Sequence, residues 1–279
     1  MKFPLVTTYW LDANLDNKQL VLIDVSINKV VGKTAIEYKE SLYIPGSKYL
    51  DMETSLCDAN STQIHAFPTD QQFTSAAQQL GINSDSIVVL YDNQGIYSAP
   101  RVWWIFKAMG FENAFVLDGG LPQWLLERRA VVSTLSSDVF TQGNIKGVLQ
   151  SGLVCEANYI IGRIASGLIT VFDARAKERF LGSVPEPRAG VRSGHIPGAI
   201  NLPFLQVLNG HRFKSAEQLS AMFSALLAGK DGQLVFSCGS GITACIILLA
   251  ADIAGYQNLV LYDGSWSDWG SDLSLPVEL

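Results

Sequence analysis

The feature that most constrains this chain is a long internal repeat. Four phrases occur twice in the same order: VLIDVS (21–26) with TVFDAR (170–175), YIPGSKYLD (43–51) with HIPGAINLP (195–203), IVVLYDNQGI (87–96) with QLVFSCGSGI (233–242), and VLDGGLPQW (116–124) with LYDGSWSDW (261–269). The spacing is nearly constant: 149 residues from Asp24 to Asp173, 152 from Ile44 to Ile196, 146 from Asp92 to Cys238 and 145 from Asp118 to Asp263. Solenoid repeats run roughly 20–50 residues, so a period this long means a duplicated domain. The 279 residues suffice for two domains that each bury a core. The halves are expected at 1–140 and 150–279, with the seam in the Ser- and Gly-rich, aperiodic stretch 133–152.

Within each half, short apolar runs that end in a polar residue alternate with helical patterns. IVVLYD precedes SAPRVWWIFKAMG, which closes on Gly110; LVFSC precedes TACIILLAADIAG, which closes on Gly255, as helix C-termini prefer. Continuous apolar strands followed by helices predict an α/β fold in which each half is a parallel sheet flanked by helices. Ligands in such sheets bind beyond the carboxyl ends of the strands. Cys238 stands at one such end, at the edge of an apolar run rather than inside it.

Gly239 and Gly241 flank the next loop position, and both are expected to take positive φ and turn backbone N–H groups inward, backed by a helix that begins near Ile242 or Thr243. Holding a cysteine as thiolate at neutral pH takes roughly 2 kcal/mol. A helix N-terminus supplies about 0.3–1 kcal/mol and each hydrogen bond to a charged group about 1.5–3 kcal/mol, so the loop needs no cation of its own. Ser240 and Thr243 add hydroxyl donors. Free cysteine is often a small buried hydrophobe, but that role needs no flanking glycines. It does suit Cys245, one residue inside the apolar helix, and nothing polar surrounds Cys57 or Cys155.

These phrases resemble the rhodanese superfamily, in its tandem-domain form, along nearly the whole chain. CGSGITA (238–244) resembles the active-site loop of its 3-mercaptopyruvate sulfurtransferase branch, supported by DARAKERFLGSVPEPRAGVRSGHIPGAINLPF (173–204), YSAPRVWW (97–104) and YDGSWSDWG (262–270). The resemblance implies two rhodanese-like domains and a persulfide relay. Cys238 attacks the sulfur of a small-molecule donor and passes it to a thiol, thioredoxin-like acceptors among the options, or to cyanide. Gly239, Ser240, Gly241, Ile242 and Thr243 form the loop, and Arg179 and Arg188 hold the donor's carboxylate, a task that suits a guanidinium fork. Arg175 and Arg192 are read as structural. No metal or organic cofactor is implied.

Thiosulfate-preferring rhodaneses resemble CRKGVTA, with two cations for a dianion; here Gly239 and Ser240 stand there, which suits monoanionic 3-mercaptopyruvate. A rhodanese-like phosphatase would need arginine six positions after the cysteine, where this chain has Ala244. Asp92 replaces cysteine in the first half, so only the second can form a persulfide. Some members of the branch pair the loop serine with an acid and a histidine from an H-I-P-G phrase. This chain has Tyr43 in that phrase, so Ser240 is read as a hydrogen-bond donor outside any relay. His195 is read as structural and His65 as a solvated loop residue without a role.

Two other readings stay open: a thiosulfate:cyanide sulfurtransferase, and a low-turnover sulfur-carrier or regulatory binding module, which the missing cleft histidine keeps in view. The net charge of −6 argues against non-specific nucleic-acid binding. The first residues lack a secretory pattern, and the longest apolar stretch, Ile242 to Ala254, is broken by Asp252 and falls short of the roughly 20 residues a membrane span needs. With four cysteines and no CxxC pair, the chain is expected to be cytoplasmic with free thiols.

Overall fold

A computed structural model describes residues 3–135 and 141–279. Part of the expected seam, residues 136–140, lies outside the described residues. The chain forms two compact units: Met1–Ala59, Phe67–Gln150 and Gly210–Phe213 make the first, and Asn60–Ala66, Ser151–Asn209 and Lys214–Leu279 the second.

The first unit carries a five-stranded parallel sheet of β1 (Leu5–Val6), β2 (Leu20–Asp24), β3 (Lys48–Tyr49), β4 (Ile87–Tyr91) and β5 (Ala114–Leu117), in the order β1-β5-β4-β2-β3. The second unit repeats it with β6 (Val154–Cys155), β7 (Ile169–Asp173) and β8 (Ile200–Asn201). A two-residue strand, β9 (Leu208–Asn209), follows, and the chain then passes residues 210–213, which include β10 (Arg212–Phe213), through the first unit. The second sheet is completed by β11 (Gln233–Ser237) and β12 (Leu259–Tyr262), in the order β6-β12-β11-β7-β8. The α/β class and the parallel sheets are those read from the sequence.

The central strands are runs such as IVVLY and ITVFD, whose residues face apolar layers on both sides, the pattern of a covered parallel sheet. In the first unit Val89, Tyr91, Leu117 and Trp124 pack together; Val171, Val235, Tyr262 and Trp266 do so in the second. After the middle strand of each unit comes an apolar helix. In Ala244–Ile253 all ten residues are buried, as expected of a helix without a polar face. Capping boxes recur at equal spacing, Thr69 with Gln72 and Ser215 with Gln218, and each satisfies two N–H groups that a helix start leaves open.

The register is the same in both sheets: Asp24 pairs with Tyr91 across β2 and β4, and Asp173 with Ser237 across β7 and β11. Asp92 and Cys238 are therefore the first residues beyond equivalent strand ends. No helix among the described residues is long and apolar enough to cross a membrane.

Candidate active site

Cys238 leaves β11 at the carboxyl edge of the second sheet, and the helix begins six residues later at Ala244, slightly beyond the expected start. Its N–H donates to Ser265 Oγ at 3.1 Å and its carbonyl accepts from the Trp266 N–H at 3.0 Å, which pins the base of the loop. The Gly241 N–H donates to Cys238 Sγ at 3.1 Å. The cysteine is 2% exposed, a burial that packing alone would also give; the inward amide is a contact that packing alone does not require.

One expectation about the glycines is corrected. Gly241 has φ +84°, but Gly239 is not in the left-handed region. What Gly239 supplies is space: a Cβ there would lie 3.3 Å from Arg179 Nη2 and 3.9 Å from Arg188 Nη1. Both arginines singled out in the sequence thus stand over the first loop residue.

Their partners differ. Arg179 Nε and Nη2 donate to the two carboxylate oxygens of Glu186 at 3.1 and 2.5 Å. Glu186 also accepts from Arg175 Nη1 at 2.9 Å, and Arg175 forks onto Asp173 while its Nη2 reaches the Gly194 carbonyl. Arg175, stacked 4.5 Å above the Trp266 ring, is a buried structural cation. Arg188 Nη1 donates to Ser267 Oγ at 2.8 Å, and that hydroxyl donates onward to the Gly239 carbonyl at 2.5 Å. Arg192 is tied to the carbonyls of Trp269, Gly270 and Asp272.

The reading of His65 is also corrected. The segment Asn60–Ala66 belongs to the second unit, and His65 Nδ1 lies 3.0 Å from Ser240 Oγ. His65 is half-buried, with φ +56°, a conformation uncommon outside glycine. Beside it, Gln63 Nε2 donates to Asp263 Oδ2 at 2.6 Å, at the end of β12. The imidazole that meets the loop serine thus lies 22 residues beyond Tyr43 in the chain. Tyr43 itself forms a backbone bridge with Val132 in the first unit. The only sequence sign was a histidine before a proline-containing turn, and linear spacing cannot connect positions 175 residues apart. His195 stacks on Phe180 with ring centroids 3.7 Å apart, and its Nδ1 meets the Phe180 carbonyl at 2.8 Å, a packed position remote in contacts from the loop.

A cavity of about 720 Å³ opens beside the loop, lined by Gln63, Ile64, Arg188, Ser267 and Asp268 among others. It puts the Arg188 guanidinium within reach of a small molecule. Among the other thiols, burial pushes Cys155 up to about 12, so it stays protonated at neutral pH. Cys57 and Cys245 donate to the carbonyls of Met52 and Gly241.

The first unit shows what the same loop does with an anion. Asp92 is fully buried; its Oδ2 accepts from the N–H groups of Tyr97, Ser98 and Ala99 at 2.8, 2.9 and 3.0 Å, and its Oδ1 from Gln94 N–H at 2.9 Å. Four backbone amides converge on one carboxylate at a helix start.

Two parallel α/β sheets, a strand-end cysteine and a loop that turns the Gly241 amide onto it before a helix define the class, and the rhodanese-like domain model matches residues 7–127 and 156–272. The chain belongs to the rhodanese family. It is 34% identical over 277 residues to the 3-mercaptopyruvate sulfurtransferase of Escherichia coli K12, covering 96% of this chain and 95% of that one. It is also 34% identical over 273 residues to the thiosulfate sulfurtransferase of Rattus norvegicus, covering 95% and 91%. The crystal structure of SseA from Escherichia coli, described as a 3-mercaptopyruvate sulfotransferase, superposes with a TM-score of 0.82 at 29% identity, over 95% of this chain and 99% of that one.

Proposed function

We propose that this protein is a sulfurtransferase that takes sulfur from 3-mercaptopyruvate through a persulfide on Cys238, releases pyruvate, and passes the sulfur to a thiol or to cyanide. The observation that carries this reading is the convergence of two guanidiniums and one inward amide on a cysteine loop with no cation of its own. Residues 150–279 are the catalytic half and residues 1–140 the non-catalytic one.

In the first step the Cys238 thiolate attacks the donor sulfur. The new S–S bond forms as the donor C–S bond breaks, the electron pair leaves as the enolate of pyruvate, and the thiol proton of the donor ends on that carbon. In the second step an acceptor thiolate or cyanide attacks the outer sulfur and the Cys238 thiolate leaves. Both steps keep a negative charge at the loop, where a preorganised amide is most effective. Asp92 supports this: its Cβ–Cγ–Oδ chain places an anionic atom as many bonds from the backbone as the outer sulfur of Cβ–Sγ–S, and amides of the equivalent loop meet it. Arg188, with Arg179 beside it, orients the donor carboxylate. Ser240, coupled to His65, is placed to move a proton to or from the developing enolate. That histidine removes the reason to prefer a low-turnover binding module.

A second reading, thiosulfate as donor, is favoured by the equal identity to a thiosulfate sulfurtransferase; the uncharged positions Gly239 and Ser240 weigh against it. A cytoplasmic site of action goes with the proposal, and cell fractionation tests it. The deciding experiment measures pyruvate and sulfide from 3-mercaptopyruvate with a reducing thiol, beside thiocyanate from thiosulfate and cyanide, in wild type and Cys238→Ser. The expected result is strong preference for 3-mercaptopyruvate, lost in the variant. Preference for thiosulfate would select the second reading, and activity surviving Cys238→Ser would overturn both.

A further inference from the structure

We propose that Glu186 sets the charge of the donor this site accepts: by pairing with Arg179 it leaves Arg188 as the uncompensated guanidinium over the Cys238 loop, which selects a monoanion over a dianion. The inference rests on the reading of that loop as the donor site and adds a residue outside it.

The charges around the loop can be followed group by group. Asp173 and Glu186 are two carboxylates, and Arg175 and Arg179 two guanidiniums, joined in one chain of contacts: Asp173 to Arg175 at 2.7 Å, Arg175 to Glu186 at 2.9 Å and Glu186 to Arg179 at 2.5 Å. Their formal charges cancel. The Glu186 side chain is 4% exposed and that of Arg179 15%, so solvent screens the pair poorly and the cancellation is felt nearby. Arg188 is held by a neutral hydroxyl, Ser267, and among the described residues no carboxylate lies within ion-pair distance of it. The nearby acids Asp268 and Asp272 are turned to other partners, the Tyr262 hydroxyl and Ser274. Arg192 is spent on three backbone carbonyls. The loop itself, Gly239 to Thr243, contributes no charge.

A donor above Gly239 therefore meets two guanidinium forks, of which Arg179 is already paired with a carboxylate and Arg188 is not. Arg179 still offers the N–H groups of Nη1 that Glu186 does not take, so it contributes shape and hydrogen bonds while its charge is matched. A monoanionic carboxylate is balanced by Arg188. A dianion brings a second charge that neither guanidinium is free to balance, and displacing Glu186 from Arg179 would leave that buried carboxylate with Arg175 as its one remaining cation, itself shared with Asp173.

The test separates this inference from the catalytic reading by using binding. Cys238 is alkylated with neutral iodoacetamide, and protection is titrated with pyruvate as the monoanion and sulfate as the dianion, in wild type, Glu186→Gln and the double variant Glu186→Gln/Arg179→Gln. Because the unmasked charge acts twice on a dianion, the factor for sulfate should be the square of that for pyruvate: in Glu186→Gln about threefold tighter pyruvate and about tenfold tighter sulfate. The double variant should return the sulfate-to-pyruvate ratio to the wild-type value. Arg179→Gln alone should move it the opposite way, which serves if Glu186→Gln does not fold. The kcat/KM ratio of thiosulfate to 3-mercaptopyruvate should follow the sulfate shift. An unchanged protection ratio in a folded Glu186→Gln protein, or a shift that persists in the double variant, overturns the inference. A shifted protection ratio in a protein that turns over neither donor upholds it and overturns the proposed function instead.

Discussion

His65 Nδ1 and Ser240 Oγ stand 3.0 Å apart although 175 residues separate them in the chain. The contact couples an imidazole to the serine hydroxyl of the loop that follows the cysteine. Proton transfer by a positioned side chain is worth about 10²–10⁴ in rate, so His65→Ala and Ser240→Ala should each lower kcat for 3-mercaptopyruvate by roughly 100-fold. Turnover of thiosulfate, whose leaving sulfite needs no proton on carbon, should fall much less. Steady-state kinetics with both donors check this; equal losses for both would assign the pair a structural role.

The arginines should separate kinetically. Arg188→Gln removes the uncompensated guanidinium and should raise KM for 3-mercaptopyruvate about 10–100-fold, the range expected for a charged hydrogen-bonding group worth about 1.5–3 kcal/mol. Arg188→Lys should recover only part, because an ammonium cannot present a fork. Arg192→Gln should change melting temperature and leave KM alone, since its donors are used on Trp269, Gly270 and Asp272.

Asp92 anchors the first unit. Replacing it with alanine strands four backbone N–H groups in a fully buried loop. Each stranded donor costs about 1–3 kcal/mol, and relaxation recovers part, so a net loss of about 3–5 kcal/mol is expected in urea unfolding. Asp92→Asn, which keeps an acceptor, should lose less. An alanine variant as stable as wild type would contradict the account of this loop.

Asp24 gives a pH signature. Burial, opposed by hydrogen bonds from Ser26, raises its carboxyl from the usual 3.8 to about 6, with the neighbouring Asp92 adding to the rise. The sequence-equivalent Asp173 has an arginine two residues on, whereas Asp24 has Ser26. The folded state binds the proton more tightly than the unfolded chain, so stability falls as pH rises from about 4 to about 6 and stays lower above. The shift corresponds to about 3 kcal/mol at neutral pH. Asp24→Asn should therefore raise the melting temperature at pH 7.5 by several degrees and leave it unchanged near pH 4. A variant less stable than wild type at pH 7.5 would refute the sign.

Much of this site could be read from the chain. The repeat pairs Asp92 with Cys238 and Asp118 with Asp263, and the sheets place those pairs at matching strand ends because strand-loop-helix units are local and their spacing survives in sequence. The two arginines, nine apart around a turn with two prolines, were singled out for the same reason, and both lie beside Gly239. Gly239 is the instructive miss: its glycine was assigned to backbone conformation, whereas the structure assigns it to the guanidinium lying 3.3 Å from where its Cβ would be.

What the sequence determined by itself is whatever short-range chemistry encodes: the duplicated α/β fold, the strand-end cysteine, the positive φ of Gly241 and the absence of loop cations. What only the tertiary structure decided are the relations between distant segments. Asn60–Ala66 joins the second unit and Gly210–Phe213 the first, where Gln63 meets Asp263 and Arg212 meets Asp118. That exchange brings His65 to Ser240. Packing likewise gives Glu186 to Arg179 and leaves Arg188 its charge. The physical reason is the same in each case: hydrogen bonds and ion pairs depend on distance in space, and hydrophobic burial of two separate cores sets those distances without leaving a periodic trace in the chain.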